Sequence, residues 1–342
     1  MICLLHLKFD IATLRGSFMT SIVCIHLLEV KLMIEQMLIL DTGPTPIRDF
    51  NFSTGVVTGF PGPLGAPAAG SFHQATIVNS NLIYAFGGYS GVGKATVTKT
   101  TGAGGQTALA ALPTTIYGGL VVFHNNKFYN FGGTRGDSTL GFIVYDPVLN
   151  THARVTAPGL PVAMHTVAGY ANGKIYMPQC DGTTNYYIYD IEAKTLETIS
   201  LTSLGVPAIF ERATIVAGNY AYSVGGRVSR AGGAAGSAVA YRMNLTTKEI
   251  ELLPNMSSAC FPANNLFTNG RQIYVVAPSS GATTPINKAM VLDTTTLLWT
   301  DYTIPAGMRC FSANGYMNNK LYFMGGIIGS TEQTTGAVYA SP

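Results

Sequence analysis

Charge is what this 342-residue chain has least of: Asp, Glu, Lys and Arg make up 11% of it, against about 25% in ordinary globular domains. The formal net charge is +3 and no basic run occurs. The electrostatic footprint on which nucleic-acid binding depends is therefore missing, and no nucleic-acid partner is expected. The five cysteines, Cys3, Cys24, Cys180, Cys260 and Cys310, form no CxxC pair and no Cys/His cluster at metal-ligand spacing. That argues against both a zinc site and a disulfide framework, and no cofactor is expected. The only window long enough for a transmembrane span lies in the first forty residues and contains Glu29, Lys31 and Glu35, so no span is expected.

Residues 1–46 read as an apolar N-terminal extension, with runs such as Ser21–Leu28 and Leu32–Leu40. The start has no basic n-region and no Ala-x-Ala-like site, a poor fit to a signal peptide. Two readings stay open. The segment is a docking tail for an assembly partner, a second copy or the rest of this chain, since apolar segments rarely stay in water alone; or it is upstream sequence, with Met19, Met33 or Met37 the natural beginning.

What is abundant is glycine, at 39 residues, with Gly-Gly pairs at Gly87, Gly132, Gly225 and Gly325. Five steps of about 48 residues connect the first pair to the last, near the period of a known propeller repeat. Two further copies fall at Ile175–Gln179 and Ile273–Ala277, without the glycines. In register, all six segments carry tyrosine at their second position: Tyr84, Tyr129, Tyr176, Tyr222, Tyr274 and Tyr322. Each segment follows an Asn/Gly turn signal (Asn79, Asn125, Asn172, Gly218, Asn269, Asn318) and an apolar run ahead of it. That spacing predicts a hairpin, because Asn and Gly accept the positive φ of tight turns. A second hairpin is expected after each Gly-Gly position, with Asp146, Asp190, Asn244 and Asp293 at its turn and His152, Leu196, Ile250 and Trp299 six residues on.

From residue 47 to 342 the chain resembles the kelch family. The residues that carry the likeness are the Gly-Gly pair after an aromatic strand, Tyr145 or Tyr189 before the acidic turn, and Trp299 after it. The resemblance implies an all-β, six-bladed kelch-type β-propeller of four-stranded antiparallel blades, with seven blades the alternative if residues 1–50 add strands. The last unit ends after what would be its third strand. Val56 and Val57 align with an outer strand, so the N-terminal side is expected to close the ring and protect both termini.

Propellers of this kind include copper radical oxidases, which need two histidines, tyrosines and a crosslinked cysteine. Here His73 and His165 precede inner strands of non-adjacent blades with no cysteine nearby. Sialidases rest on an arginine cluster and repeated Ser-x-Asp-x-Gly boxes; no box occurs, but Arg135, Arg227 and Arg230 follow Gly-Gly positions and Arg212 and Arg309 precede inner strands. Those two kinds of connection share one face of a blade, where guanidinium groups suit carboxylate or phosphate. Asp137 and Asp181 fall singly in separate blades and supply no acid/base pair. Tyr89 and Tyr186 add flat rings for stacking. The expectation is a non-enzymatic binding or structural module that recognises protein or glycan through loops of that face, with a composition like that of extracellular or virion surface proteins. The alternative is a carbohydrate-active enzyme, sialidase-like or galactose-oxidase-like.

Overall fold

Short runs of β-branched and aromatic residues between Asn/Gly turns form the strands of an all-β propeller. The computed structural model describes residues 56–60, 74–78, 82–135, 141–160, 167–179, 182–229, 234–262, 265–276, 286–308, 313–317, 320–324, 327–328, 331–332 and 336–340. Every structural statement below concerns these residues, and residues 1–55 lie outside them.

After β1 (Val56–Phe60), the first blade comprises β2 (Gln74–Val78), β3 (Leu82–Phe86), β6 (Val97–Thr101) and β7 (Gln106–Ala108). A small hairpin, β4 (Tyr89–Ser90) and β5 (Val92–Gly93), lies between β3 and β6. The second blade is β8 (Ile116–His124), β9 (Lys127–Arg135), β10 (Phe142–Asp146) and β11 (Thr151–Val155); the third is β12 (Gly169–Ala171), β13 (Lys174–Pro178), β14 (Asn185–Asp190) and β15 (Thr195–Ser200). The fourth is β16 (Ala213–Ala217), β17 (Tyr220–Val224), β18 (Ala240–Asn244) and β19 (Ile250–Leu252); the fifth is β20 (Leu266–Thr268), β21 (Gln272–Val276), β22 (Ile286–Asp293) and β23 (Trp299–Met308). The chain then forms β24 (Ala313–Met317), β25 (Lys320–Met324), the pair β26 (Ile327–Ile328) and β27 (Thr331–Glu332), and β28 (Gly336–Ala340).

All pairings within the blades are antiparallel. The final sheet has the order β1-β28-β25-β24, with Val56 opposite Ala340 and Phe60 opposite Gly336. The expected six blades, with seven as the alternative, thus resolve into five blades wound from continuous chain and one composite sheet built from both ends. First strands sit centrally: β2 lies against β8 and β24, β16 against β12 and β20, and β20 against β24.

The core lies between blades. Tyr84, Phe86, Phe128 and Tyr145 join the first and second; Phe142, Ile175 and Tyr189 the second and third; Tyr186 and Tyr241 the third and fourth. Phe261, Tyr274, Phe323 and Tyr339 join the fifth to the composite sheet. A blade flanked on both sides buries both faces, so second strands read as continuous apolar runs instead of alternating. Five of the six repeat tyrosines, Tyr84, Tyr176, Tyr222, Tyr274 and Tyr322, are buried, and Tyr129 is part-buried.

Turn chemistry follows the sequence closely. Asn125, Asn126 and Asn172 take φ of 46°, 59° and 50°, the left-handed geometry of tight hairpins. Asp146 Oδ1 accepts the Val148 and Leu149 N–H groups at 3.0 Å, and Asp190, Asn244 and Asp293 do the same in their blades. These backbone donors hold the Asp146, Asp190 and Asp293 carboxyls below the usual range.

Gly87 shows why the glycine pair recurs. It has φ of 62°, and a Cβ there would sit 2.1 Å from the Ile116 carbonyl oxygen of the next blade. In the third blade, which lacks the pair, Gln179 is buried and its Nε2 donates to the Pro207 carbonyl at 2.6 Å. A side-chain amide takes over the tie that backbone makes elsewhere.

Candidate functional site

The connections after the second strands and those leading into first strands meet at one face. In the first blade, Gly88 N–H donates to Ile116 O at 2.8 Å, Ile116 N–H to Lys94 O at 2.9 Å, and Lys94 N–H to Gly88 O at 2.8 Å. In the fourth blade, Phe210 and Arg227 exchange backbone bonds of 2.8 and 2.9 Å, and Ser237 is bridged to Cys260. Each loop is laced to the strand or segment beside it.

Around the fourth blade the face turns its charge inward. Arg227 forms a forked pair with Glu211, Nε to Oε2 at 2.5 Å and a second nitrogen donating to Oε1 at 2.7 Å. The Glu211 side chain is fully buried and that of Arg227 is 17% exposed. The guanidinium also lies 4.9 Å from the Phe261 ring centroid, a favourable cation–π arrangement. A forked carboxylate neutralises the donors that an anionic ligand would need.

Arg212 is fully buried; it donates to the Val239 carbonyl at 2.7 Å and lies 5.1 Å from the Tyr241 ring centroid. Burial holds its guanidinium below the usual arginine range. Desolvation likewise pushes the neighbouring Cys260 thiol up to about 12, far from the thiolate that reactivity requires. Tyr186 is the second residue of β14 and fully buried, with its ring 6.3 Å from Tyr241 and the Thr214 and Ser223 hydroxyls beside its phenol. Placing Arg212 at an open entrance and Tyr186 on an exposed loop is therefore corrected: both side chains are needed to fill the space between blades.

Tyr89 stays at the surface. It opens the β4–β5 hairpin, is part-exposed, and its ring centroid is 5.0 Å from that of Tyr117 on β8. Arg135 ends β9, opposite Ile116 on the same face, and its side chain lies outside the described residues. Asp137, Asp181, Arg230 and Arg309 lie outside them altogether, as do His73 and His165. Glu211, Phe261 and Tyr117 were not singled out from the sequence. Glu211 had one available signal, a carboxylate beside an arginine ahead of a buried strand in a chain with little charge.

The two described histidines do structural work. His124 at the end of β8 bridges the Tyr170 hydroxyl and Glu192, both at 2.7 Å, joining the second and third blades. His152 Nε2 meets the Ala110 carbonyl at 2.9 Å. Among the described residues no group of three or more His, Cys, Asp or Glu is placed to hold a metal ion.

Among solved structures, the chain is similar to one described as a novel fungal alcohol oxidase with catalytic diversity among the AA5 family, in complex with copper. The TM-score is 0.59 at 16% identity, covering 85% of this chain and 77% of that one. It is also similar to the structure of YjhT, with a TM-score of 0.59 at 14% identity over 82% of this chain and 95% of that one. At these identities the likeness is one of fold. No protein-family model matches the sequence, and no curated protein matches it. Both described histidines are engaged in hydrogen bonds between blades, and the candidates His73 and His165 lie outside the described residues.

Proposed function

We propose that the chain is a non-enzymatic recognition or structural module: a kelch-like propeller, closed by β1, that binds protein or glycan through the variable loops of one face. The observation that carries this reading is how that face spends its polar groups. Glu211, Arg227 and Arg212 hold loops and fill space between blades, while Tyr89 and the 63%-exposed Val92 stand at a loop tip. Variable loops on a rigid ring are where such scaffolds meet partners. Residues 1–40 fit an assembly dock within the same proposal.

The test is a glycan array run beside a pull-down with the full chain. Specific capture in either supports the reading; both empty would overturn it. A second reading, a carbohydrate-active enzyme on this scaffold, draws on the fold shared with the fungal alcohol oxidase. Turnover of an array sugar by the purified chain would favour it, and unchanged sugars with measurable binding would exclude it.

A further inference from the structure

We infer that the corner between the first and second blades is a sugar-binding site in which Tyr89 and Tyr117 cup a neutral hexopyranose; this deepens the recognition reading and rests on it. The corner is built before any ligand arrives. Tyr89 pairs with Gly93 and Ser90 with Val92 across the β4–β5 hairpin, with Gly91 at φ 73° at its tip. The hairpin base is tied to Ile116 by the backbone bonds described above.

The neighbouring blade is shaped to meet it. β8 and β9 continue their pairing past the Gly-Gly position, with Tyr117 opposite Thr134 and Ile116 opposite Arg135. This carries Tyr117 up to the loop face. A Cβ on Gly93 would lie 3.2 Å from Thr115 Cβ, a tight approach that the glycine relieves, and 3.5 Å from Tyr117 Cδ1, an ordinary contact distance. The rings meet at 49° with centroids 5.0 Å apart, both part-exposed.

The chemistry of the corner selects a class of ligand. A pyranose presents C–H groups on its faces and hydroxyls around its edge, and an aromatic ring with a polar tip matches both. Tyrosine orders at low entropic cost because it has only two χ angles. The Tyr89 phenol and the Thr115 hydroxyl are neutral hydrogen-bonding groups, and Val92 on the same hairpin is an exposed apolar side chain. Within a chain that is only 11% charged, a neutral hexose suits this corner better than an anionic sugar.

The experiment uses the full chain and an array of neutral hexose oligosaccharides (glucan, mannan and galactan fragments), followed by titration of the best binder. Tyr89→Ala and Tyr117→Ala should each weaken binding about tenfold or more, as loss of an aromatic anchor does. Tyr89→Phe and Tyr117→Phe should keep most of it, with thermal midpoints of all four near wild type. If Tyr117→Ala fails to fold, Tyr89→Ala decides alone. Wild-type sugar binding that survives Tyr89→Ala overturns the site and leaves the recognition reading standing. A wild-type chain that binds no neutral sugar yet captures a protein does the same, and a chain that binds neither ends both.

Discussion

Two corners of one face put similar scaffolding to opposite uses. At the fourth blade, Glu211 and Arg227 pair below the surface and Arg212 is wholly buried, so the charged groups are committed to the fold. At the junction of the first and second blades, backbone bonds tie the loop to Ile116, and the side chains of Tyr89 and Tyr117 remain partly in solvent. At this junction aromatic side chains keep part of their surface in solvent; at the fourth blade, charged side chains are spent on holding the loop.

The largest effect that would break this contrast is expected at the buried pair. Glu211→Gln leaves the Arg227 charge without its counterion, and removing one partner of such a pair costs about 3–5 kcal/mol. Chemical denaturation should show that loss, and a change under 1 kcal/mol would mean the pair does not hold the corner. Next comes Gly87→Ala, which meets positive φ and the Ile116 carbonyl together. The backbone conformation alone costs about 1–3 kcal/mol, and an unshifted denaturation midpoint would show that the blades are not so tightly apposed there.

Trp299→Phe removes the indole donor to the Pro254 carbonyl at 2.8 Å and should lower stability by about 0.5–1.5 kcal/mol. His152, in the matching position of the second blade, bonds Ala110 O, and its effect should appear mainly with pH. Burial lowers its pKa below the ordinary 6.5, so its contribution is complete above about 6.5 and is lost as pH falls through the folded-state value. A His152→Gln chain should therefore lose less stability than wild type between pH 7.5 and 5, and parallel pH curves would count against this. Smallest of all, Tyr89→Ala should stay within about 0.5 kcal/mol of wild type, as expected for a surface side chain outside the core.

Much of the fold was legible in local sequence signals. The repeat tyrosines, the Asn/Gly turns and the Asp146-type caps are local signals; the turns at Asn125, Asn172, Gly218 and Gly270 take positive φ and the caps form, while Asn79 and Asn318 lie outside the described residues. The tryptophan position looked degenerate, with His152, Leu196 and Ile250 replacing Trp299. In space His152 and Trp299 both reach back to a carbonyl of the preceding blade, and Leu196 and Ile250 pack into inter-blade clusters. The site was less readable because burial between blades depends on residues distant in sequence. Tyr186 read as a loop ring available for stacking, yet the approach of Tyr241 on the next blade encloses it. Arg212 and Arg227 both read as loop cations, but Arg227 pairs with Glu211 while Arg212 is buried and donates to the Val239 carbonyl.

The pairing of β1 with β28 also bears on how the chain is made. Val56–Phe60 is among the first described segments to leave the ribosome, and its partner Gly336–Ala340 is among the last. At usual elongation rates these segments are synthesised on the order of tens of seconds apart, so β1 waits with an open edge while five blades assemble behind it. Their union spans the longest loop in the molecule and adds its entropic cost at the final step. Among the described strands, the one synthesised first is paired with the one synthesised last.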